Sequence, residues 1–195
     1  MIQNAERSKI QQLFDEKNAH VLYKYANNES YLQQVISYIK DGIATGENVF
    51  LVENERNHLL ITKELSKTFS GEEMVNLRYV NSINFYLSSG SYYPPAIEEY
   101  FAGMVQPFVD NNIPFRSWAH VEWASLKGPS HLIEIFEKIV DQAVNKIPFS
   151  LICAYDRNRL PDDLNEVLLK THPYILEDND LIVSQEYTTE LELNK

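Results

Sequence analysis

Apolar and polar positions along the chain follow two rhythms: short runs of β-forming residues, and longer stretches with apolar positions three or four apart. Residues 2–17 set Ile2, Ala5, Ile10, Leu13 and Phe14 near helical spacing and predict an N-terminal helix. HVLYKYA (20–26) predicts a strand ending at Asn27 and Asn28. Asn28 or Ser30 then caps a helix to Ala44, with Leu32, Val35, Ile36 and Ile39 on one face and Gly42 and Gly46 near its end. NVFLVE (48–53) is almost continuously apolar, as a strand covered on both faces should be, and 55–69 return to helical spacing. MVNLRYV (74–80) predicts a third strand, 81–97 is the least regular stretch, and Pro94 and Pro95 open a helix over 96–111. IPFRSWAHVEW (113–123) predicts a fourth strand, Ser130 to Lys146 a helix, PFSLICAYD (148–156) a deeply buried strand, and 161–170 a short helix. The tail, 173–193, has strand-like ends and is acidic.

Strands separated by helices of this length need crossover connections, which implies a mostly parallel sheet with helices on both faces. The expected fold is therefore a three-layer α/β domain: a helix over 1–17, then one domain over 18–195. No linker, repeat or low-complexity tract divides it.

Composition narrows the function classes. The 195 residues are 44% apolar and include 12 Tyr, 9 Phe and 2 Trp, enough for one substantial core. A net charge of −11 argues against direct nucleic-acid binding, which concentrates positive charge on phosphates. The single cysteine, Cys153, rules out an intramolecular disulfide. The uncharged stretch 79–97 contains asparagines, serines and two prolines, so it does not read as membrane-spanning. MIQNAERSKIQQ has no apolar signal-peptide core, and a cytoplasmic location is expected.

Parallel sheets bind ligands at the carboxyl ends of their strands, which directs attention to the ends of HVLYKY, RSWAHVEW and LICAYD. The first strand-to-helix turn, YANNES, has no glycine, and none occurs before Gly42. A phosphate cradle of the P-loop type, which needs glycine backbone at close approach, is not expected. His20, His58, His120, Glu122, His131, Cys153, Asp156 and His172 are the candidate donors and acids. His120 and Glu122, two apart on a strand, share a face and, joined by Cys153 or His172, would suit a metal. A polar-core or surface role for His120 is the plainer reading, and no metal or other cofactor is expected. Cys153 sits mid-strand, where a thiol usually packs as a small hydrophobe. Arg116, Glu122 and Asp156 are charges in or near interior strands, either paired with one another or lining a pocket. Tyr25, Trp123 and Tyr155, at three strand ends, are expected to form an apolar, hydroxyl-edged pocket.

The runs HVLYKY (20–25), GIATGENVFLV (42–52), RSWAHVEW (116–123), FEKIVDQAVNKIPFSLICAYD (136–156) and LLKTHP (168–173) resemble the MEDS domain, a sensory domain named from methanogen proteins and the methylotroph regulator of dichloromethane dehalogenase. The resemblance covers about residues 18–178 and rests on the order of five runs rather than on one specific motif. It implies a RecA-like fold, related to P-loop NTPases but without a working phosphate loop, that senses simple hydrocarbon derivatives beside DNA-binding or histidine-kinase modules. Position by position it picks out His20, Tyr25, Gly42, Gly46, Glu47, Arg116, Trp123, Glu137, Cys153, Tyr155, Asp156, His172 and Pro173. One departure stands out: where the family tends to have Gly-Glu before the tryptophan, this chain has Ala119-His120, with an acid at Glu122.

Two functional readings follow. The first is a non-enzymatic sensory module whose ligand, a small organic molecule, contacts His20, Tyr25, Arg116, His120, Glu122, Trp123, Cys153, Tyr155, Asp156 and His172. Such a module passes its state to a regulatory partner such as a histidine kinase or transcription regulator, with no membrane contact and a homodimer allowed. The second is an enzyme, a metal- or cysteine-dependent hydrolase or divergent NTPase, using Glu122, Asp156, His120 and Cys153.

Overall fold

A computed structural model describes residues 19–123, 129–147, 149–177 and 180–187; the expected N-terminal helix and the last acidic residues lie outside them. Seven strands form one sheet: β1 (Ala19–Tyr25), β2 (Asn48–Glu53), β3 (Leu77–Asn81), β4 (Phe115–His120), β5 (Ser150–Asp156), β6 (Tyr174–Glu177) and β7 (Asp180–Val183). Their order is β3-β2-β4-β5-β1-β6-β7, and every pairing is parallel except β6 with β7. The helices are α1 (Asn28–Ala44), α2 (Glu55–Leu65), α3 (Ser82–Tyr86), α4 (Pro94–Asp110), α5 (Ser130–Lys146) and α6 (Asp162–Thr171).

Strand side chains alternate between two faces, and each face has its own core. On the first, Tyr31, Val35 and Ile39 of α1 and Ile61 and Leu65 of α2 cover Val21, Tyr23, Val49, Leu51, Trp118, Ile152 and Ala154. On the second, Phe85, Tyr86, Ile97, Val105, Ile133, Phe136, Leu164 and Leu168 from α3 to α6 cover Leu22, Phe50, Val52, Ala119, Leu151, Cys153 and Tyr155. The expected α/β architecture, a mostly parallel sheet flanked by helices, is what the chain forms.

Three strands hand over to helices through asparagine. Asn27 accepts from the Ser30 amide at 2.9 Å, Asn54 from the Asn57 amide at 2.9 Å, and Asn81 from the amides of Ile83 and Asn84. Each occupies an otherwise orphaned helix donor and starts a helix directly at the carboxyl edge of the sheet. The first cap is Asn27 rather than the expected Asn28 or Ser30, so only Ala26 and Asn27 join β1 to α1.

Two expectations change. Residues 74–80 are not one strand: Glu73–Asn76 forms a 3₁₀ turn, whose backbone bonds locally, and β3 starts at Leu77, opposite Val49. The irregular stretch 81–97 contains α3 as well as the start of α4.

Gly42 shows how tightly α1 lies on the sheet. A Cβ there would sit 2.7 Å from Val49 Cγ2 and 3.0 Å from Arg116 Cδ. Val49 is a fully buried strand residue with no room to turn away. In an ordinary helix Gly→Ala stabilises by about 0.5–1 kcal/mol. Here the overpacking wins, and Gly42→Ala is expected to destabilise by about 1–3 kcal/mol in urea denaturation.

Candidate functional site

The carboxyl ends of β1, β2, β4 and β5 open into a cleft of about 290 Å³ lined by Tyr25, Asn54, Arg56, Asn57, His120, Glu122, Trp123, Asp156 and Arg159, among others. It lies where a parallel sheet is expected to bind ligands. The register explains which residues meet there. Tyr25 pairs with Asp156, so the two side chains share the first face and the same edge. His120 ends β4 on that face, and Glu122 and Trp123 continue the chain outward beyond it.

Beneath the cleft Glu53 has no solvent exposure. Tyr31 donates to its Oε2, while its Oε1 accepts from the Asn54 amide at 2.7 Å, Asn57 Nδ2 at 3.4 Å and His120 Nδ1 at 2.6 Å. Trp118 Nε1 donates to Tyr31 Oη at 3.0 Å and extends the network into the core. A buried carboxylate is tolerated only when its oxygens are satisfied in this way. The other nitrogen of His120, Nε2, is 2.7 Å from Tyr25 Oη. Neutral His120 accepts the phenol proton there, and charged His120 donates to the phenol oxygen, so the contact survives either state. Burial first, then the charges of Asp156, Glu53 and Glu122, push the Tyr25 phenol far above its ordinary range and keep it protonated.

The rim is polar and mixed in charge. Glu122 accepts from Ser82 Oγ at 2.5 Å, which ties the cleft to the first turn of α3. Asp156 accepts from the Asn158 amide at 2.9 Å, and Asn158 in turn donates to the Ala26 carbonyl. Arg159 donates to the Trp123 carbonyl at 2.8 Å and lies over the Trp123 ring at 5.3 Å. Glu53, His120 and Glu122 bring three donor atoms within 4.8 Å of one another, a partial metal sphere in number. Both His120 nitrogens already have hydrogen-bond partners there, Nδ1 in Glu53 and Nε2 in Tyr25.

The expected residue set divides into three places. Tyr25, His120, Glu122, Trp123 and Asp156 line the cleft. His20, Cys153, Tyr155 and His172 are buried on the opposite face around Glu137. Arg116 belongs to neither: it pairs with Glu47 and lies 5.1 Å over the Tyr38 ring.

Three juxtapositions expected from sequence are therefore not formed. Tyr155 does not join Tyr25 and Trp123, because its register partner is Lys24 and strand alternation turns it to the second face. Arg116 does not pair with Glu122 or Asp156: Glu122 is six residues further along, roughly 20 Å on an extended chain. Cys153 and His172 cannot complete a site with His120 and Glu122, since the sheet stands between them. Of the remaining histidines, His58 stacks on Tyr79 at 3.6 Å and His131 is exposed. Cys153 has no exposure and burial pushes its thiol well up, which removes the ready thiolate that a nucleophile needs. Sequence reasoning missed Glu53, Tyr31, Ser82 and Arg159. Glu53 was legible, as the charge that ends the apolar run NVFLVE at the carboxyl edge of the sheet.

The described residues thus form an α/β domain, a mostly parallel sheet flanked by helices, with a polar cleft at the carboxyl edge of the sheet. The profile of the MEDS family, described as MEthanogen/methylotroph, DcmR Sensory domain, matches residues 19–173. The chain belongs to that family of sensory domains. No curated protein matches it. No helix among the described residues is long and apolar enough to cross a membrane.

The His120–Glu53 pair carries a pH signature. Burial, the largest influence, opposes a charge on His120, but the hydrogen bond and charge of Glu53, with Glu122 and Asp156, outweigh it and raise His120 above its ordinary value of 6.5. A raised folded-state value means the pair contributes fully below the unfolded value and is lost as pH climbs through the folded one. Glu53→Gln is expected to lower the His120 midpoint, read from imidazole proton shifts by NMR, and to flatten the alkaline loss of stability above pH 6.5. An unchanged midpoint would contradict the assignment.

Proposed function

We propose that the chain is a non-catalytic sensory module that binds a small, polar hydrocarbon derivative in the cleft and relays its occupancy to a protein partner. The observation that carries this reading is the convergence of Tyr25, Glu122, Trp123, Asp156 and Arg159 at the carboxyl edge of the sheet. Two aromatic rings, two acids and a guanidinium suit a molecule with a short apolar body and hydroxyl, amine or carboxylate groups.

A nucleotide suits the cleft poorly, which supports a RecA-like scaffold whose phosphate loop is gone. Only two residues connect β1 to α1, and neither is glycine. Polyphosphate would also meet the carboxylates of Glu122 and Asp156, against only Arg56 and Arg159 in the lining.

Relay runs through Ser82. Its hydroxyl holds Glu122 at the rim, and it begins the segment from α3 to Pro94, whose Tyr93 and Ile83 are exposed. A ligand that takes up Glu122 competes with Ser82, shifting the 81–97 segment between two arrangements according to its difference in affinity for them. That surface is what a histidine kinase or transcription regulator would read.

The test is native mass spectrometry and calorimetry of the full chain against short alcohols, amines and carboxylates, with tryptophan fluorescence as the reporter. A ligand is expected whose affinity falls about tenfold or more, 1.4 kcal/mol, in Trp123→Ala and Arg159→Ala. Ligand-dependent hydrogen exchange across 81–97 should shrink in Ser82→Ala. Failure of every probe to bind, or magnesium-dependent ATP binding or turnover lost in Glu122→Gln, would overturn the proposal.

A further inference from the structure

On the second face of the sheet, His20 of β1, Glu137 of α5, Cys153 of β5 and His172, which leads into β6, converge on one point. Their exposures are 1% for His20 and 0% for the other three. One donor atom from each lies within 4.8 Å of all the others. His20 Nε2 and His172 Nε2 are 3.2 and 3.3 Å from Glu137 Oε2, and Cys153 Sγ is 3.6 Å from His20 Nε2. Ligands around tetrahedral zinc, at bond lengths of about 2.0–2.2 Å to N and O and about 2.3 Å to S, would stand about 3.4 Å apart as N and O and about 3.6 Å apart as N and S. The observed spacings agree with both.

The outer contacts aim the donors inward. His172 Nδ1 is 2.8 Å from the Leu168 carbonyl, which only accepts, so Nδ1 carries a hydrogen, and in the neutral ring, which burial favours, the lone pair is on Nε2. That Nε2 is buried and makes no hydrogen bond among the described residues, although a carboxylate oxygen lies 3.3 Å away. Two acceptors facing each other in the interior are destabilising unless a proton or a metal ion lies between them. His20 Nδ1 meets Asp141 Oδ1 at 3.3 Å, and Tyr187 donates to the other oxygen of Asp141 at 2.9 Å. Tyr155 donates to Glu137 Oε1, leaving Oε2 for the centre. A histidine whose far nitrogen is held by a carboxylate or backbone carbonyl is the usual outer arrangement of a metal ligand.

We infer that His20, Glu137, Cys153 and His172 form a closed four-ligand site for a divalent transition metal, with zinc the best match to its N₂OS donor set. On binding, the Cys153 thiol proton, and any proton on His20 Nε2, pass to solvent, and four bonds to the metal form. All four positions are taken by protein, so the ion is structural and clamps α5 and the start of β6 onto β1 and β5. The inference is independent of what the cleft binds, because the sheet separates the two.

Since the site is closed, the metal has to enter during folding. The test produces the full chain in zinc-depleted medium supplemented with cobalt, then records metal content and the absorption spectrum. One cobalt per chain is expected, with tetrahedral d–d bands and a thiolate-to-cobalt charge-transfer band that disappears in Cys153→Ser. Asp141→Asn, which loosens only an outer contact, should keep the band and weaken affinity by about 10- to 100-fold. A wild-type chain that holds no cobalt, or holds it without the charge-transfer band, overturns the inference. Cobalt that survives Cys153→Ser but is lost in Glu122→Gln also overturns it, and would place the ion in the cleft.

Discussion

Glu53 and Glu137 are carboxylates without solvent exposure, one on each face of the sheet, and the cost of burying them organises much of what surrounds them. Taking such a charge out of water costs several kcal/mol unless donors meet its oxygens. Glu53 draws Tyr31 from α1, Asn57 from α2 and His120 from β4. Glu137, itself on α5, draws Tyr155 from β5 and faces His20 and His172. Apolar contact alone is non-directional, so these directed bonds fix where the helices sit on the two cores.

The fold was the most legible part of the chain. β2 and α5 appear at their expected limits, because NVFLVE is a short apolar run closed by polar residues and the stretch from Ser130 to Lys146 keeps helical spacing without interruption. The site was legible only in part. The rule that ligands gather at strand carboxyl ends found Tyr25, His120, Glu122, Trp123 and Asp156, since it needs only strand ends. It also drew in Tyr155, whose face is settled by its register with Lys24 in a strand distant in sequence, and Arg116, which counting along its own strand already places at the opposite end. Glu137 was picked out by family resemblance alone. Nothing in the helical rhythm of α5 marks it as lying opposite two histidines from other elements.

The Ala119-His120 pair, where the resemblance led to an expectation of Gly-Glu, also takes on a physical sense. Ala119 packs into the second core, while His120 faces Glu53. A glutamate at position 120 would set two carboxylates against each other in a buried place, whereas histidine makes an attractive contact whose strength varies with pH. The departure alters the floor of the cleft rather than its rim.

The central place of β1 has a bearing on the order in which the molecule assembles. Ala19 lies opposite Ser150 and Val21 opposite Tyr174, so the earliest described strand finds its neighbours only after most of the chain has been made. Pairings this distant are slow to close and leave strand edges exposed meanwhile. Tyr25 waits for Asp156, and His20 for Cys153 and His172, so a nascent chain carries half of each constellation and the working arrangement of neither.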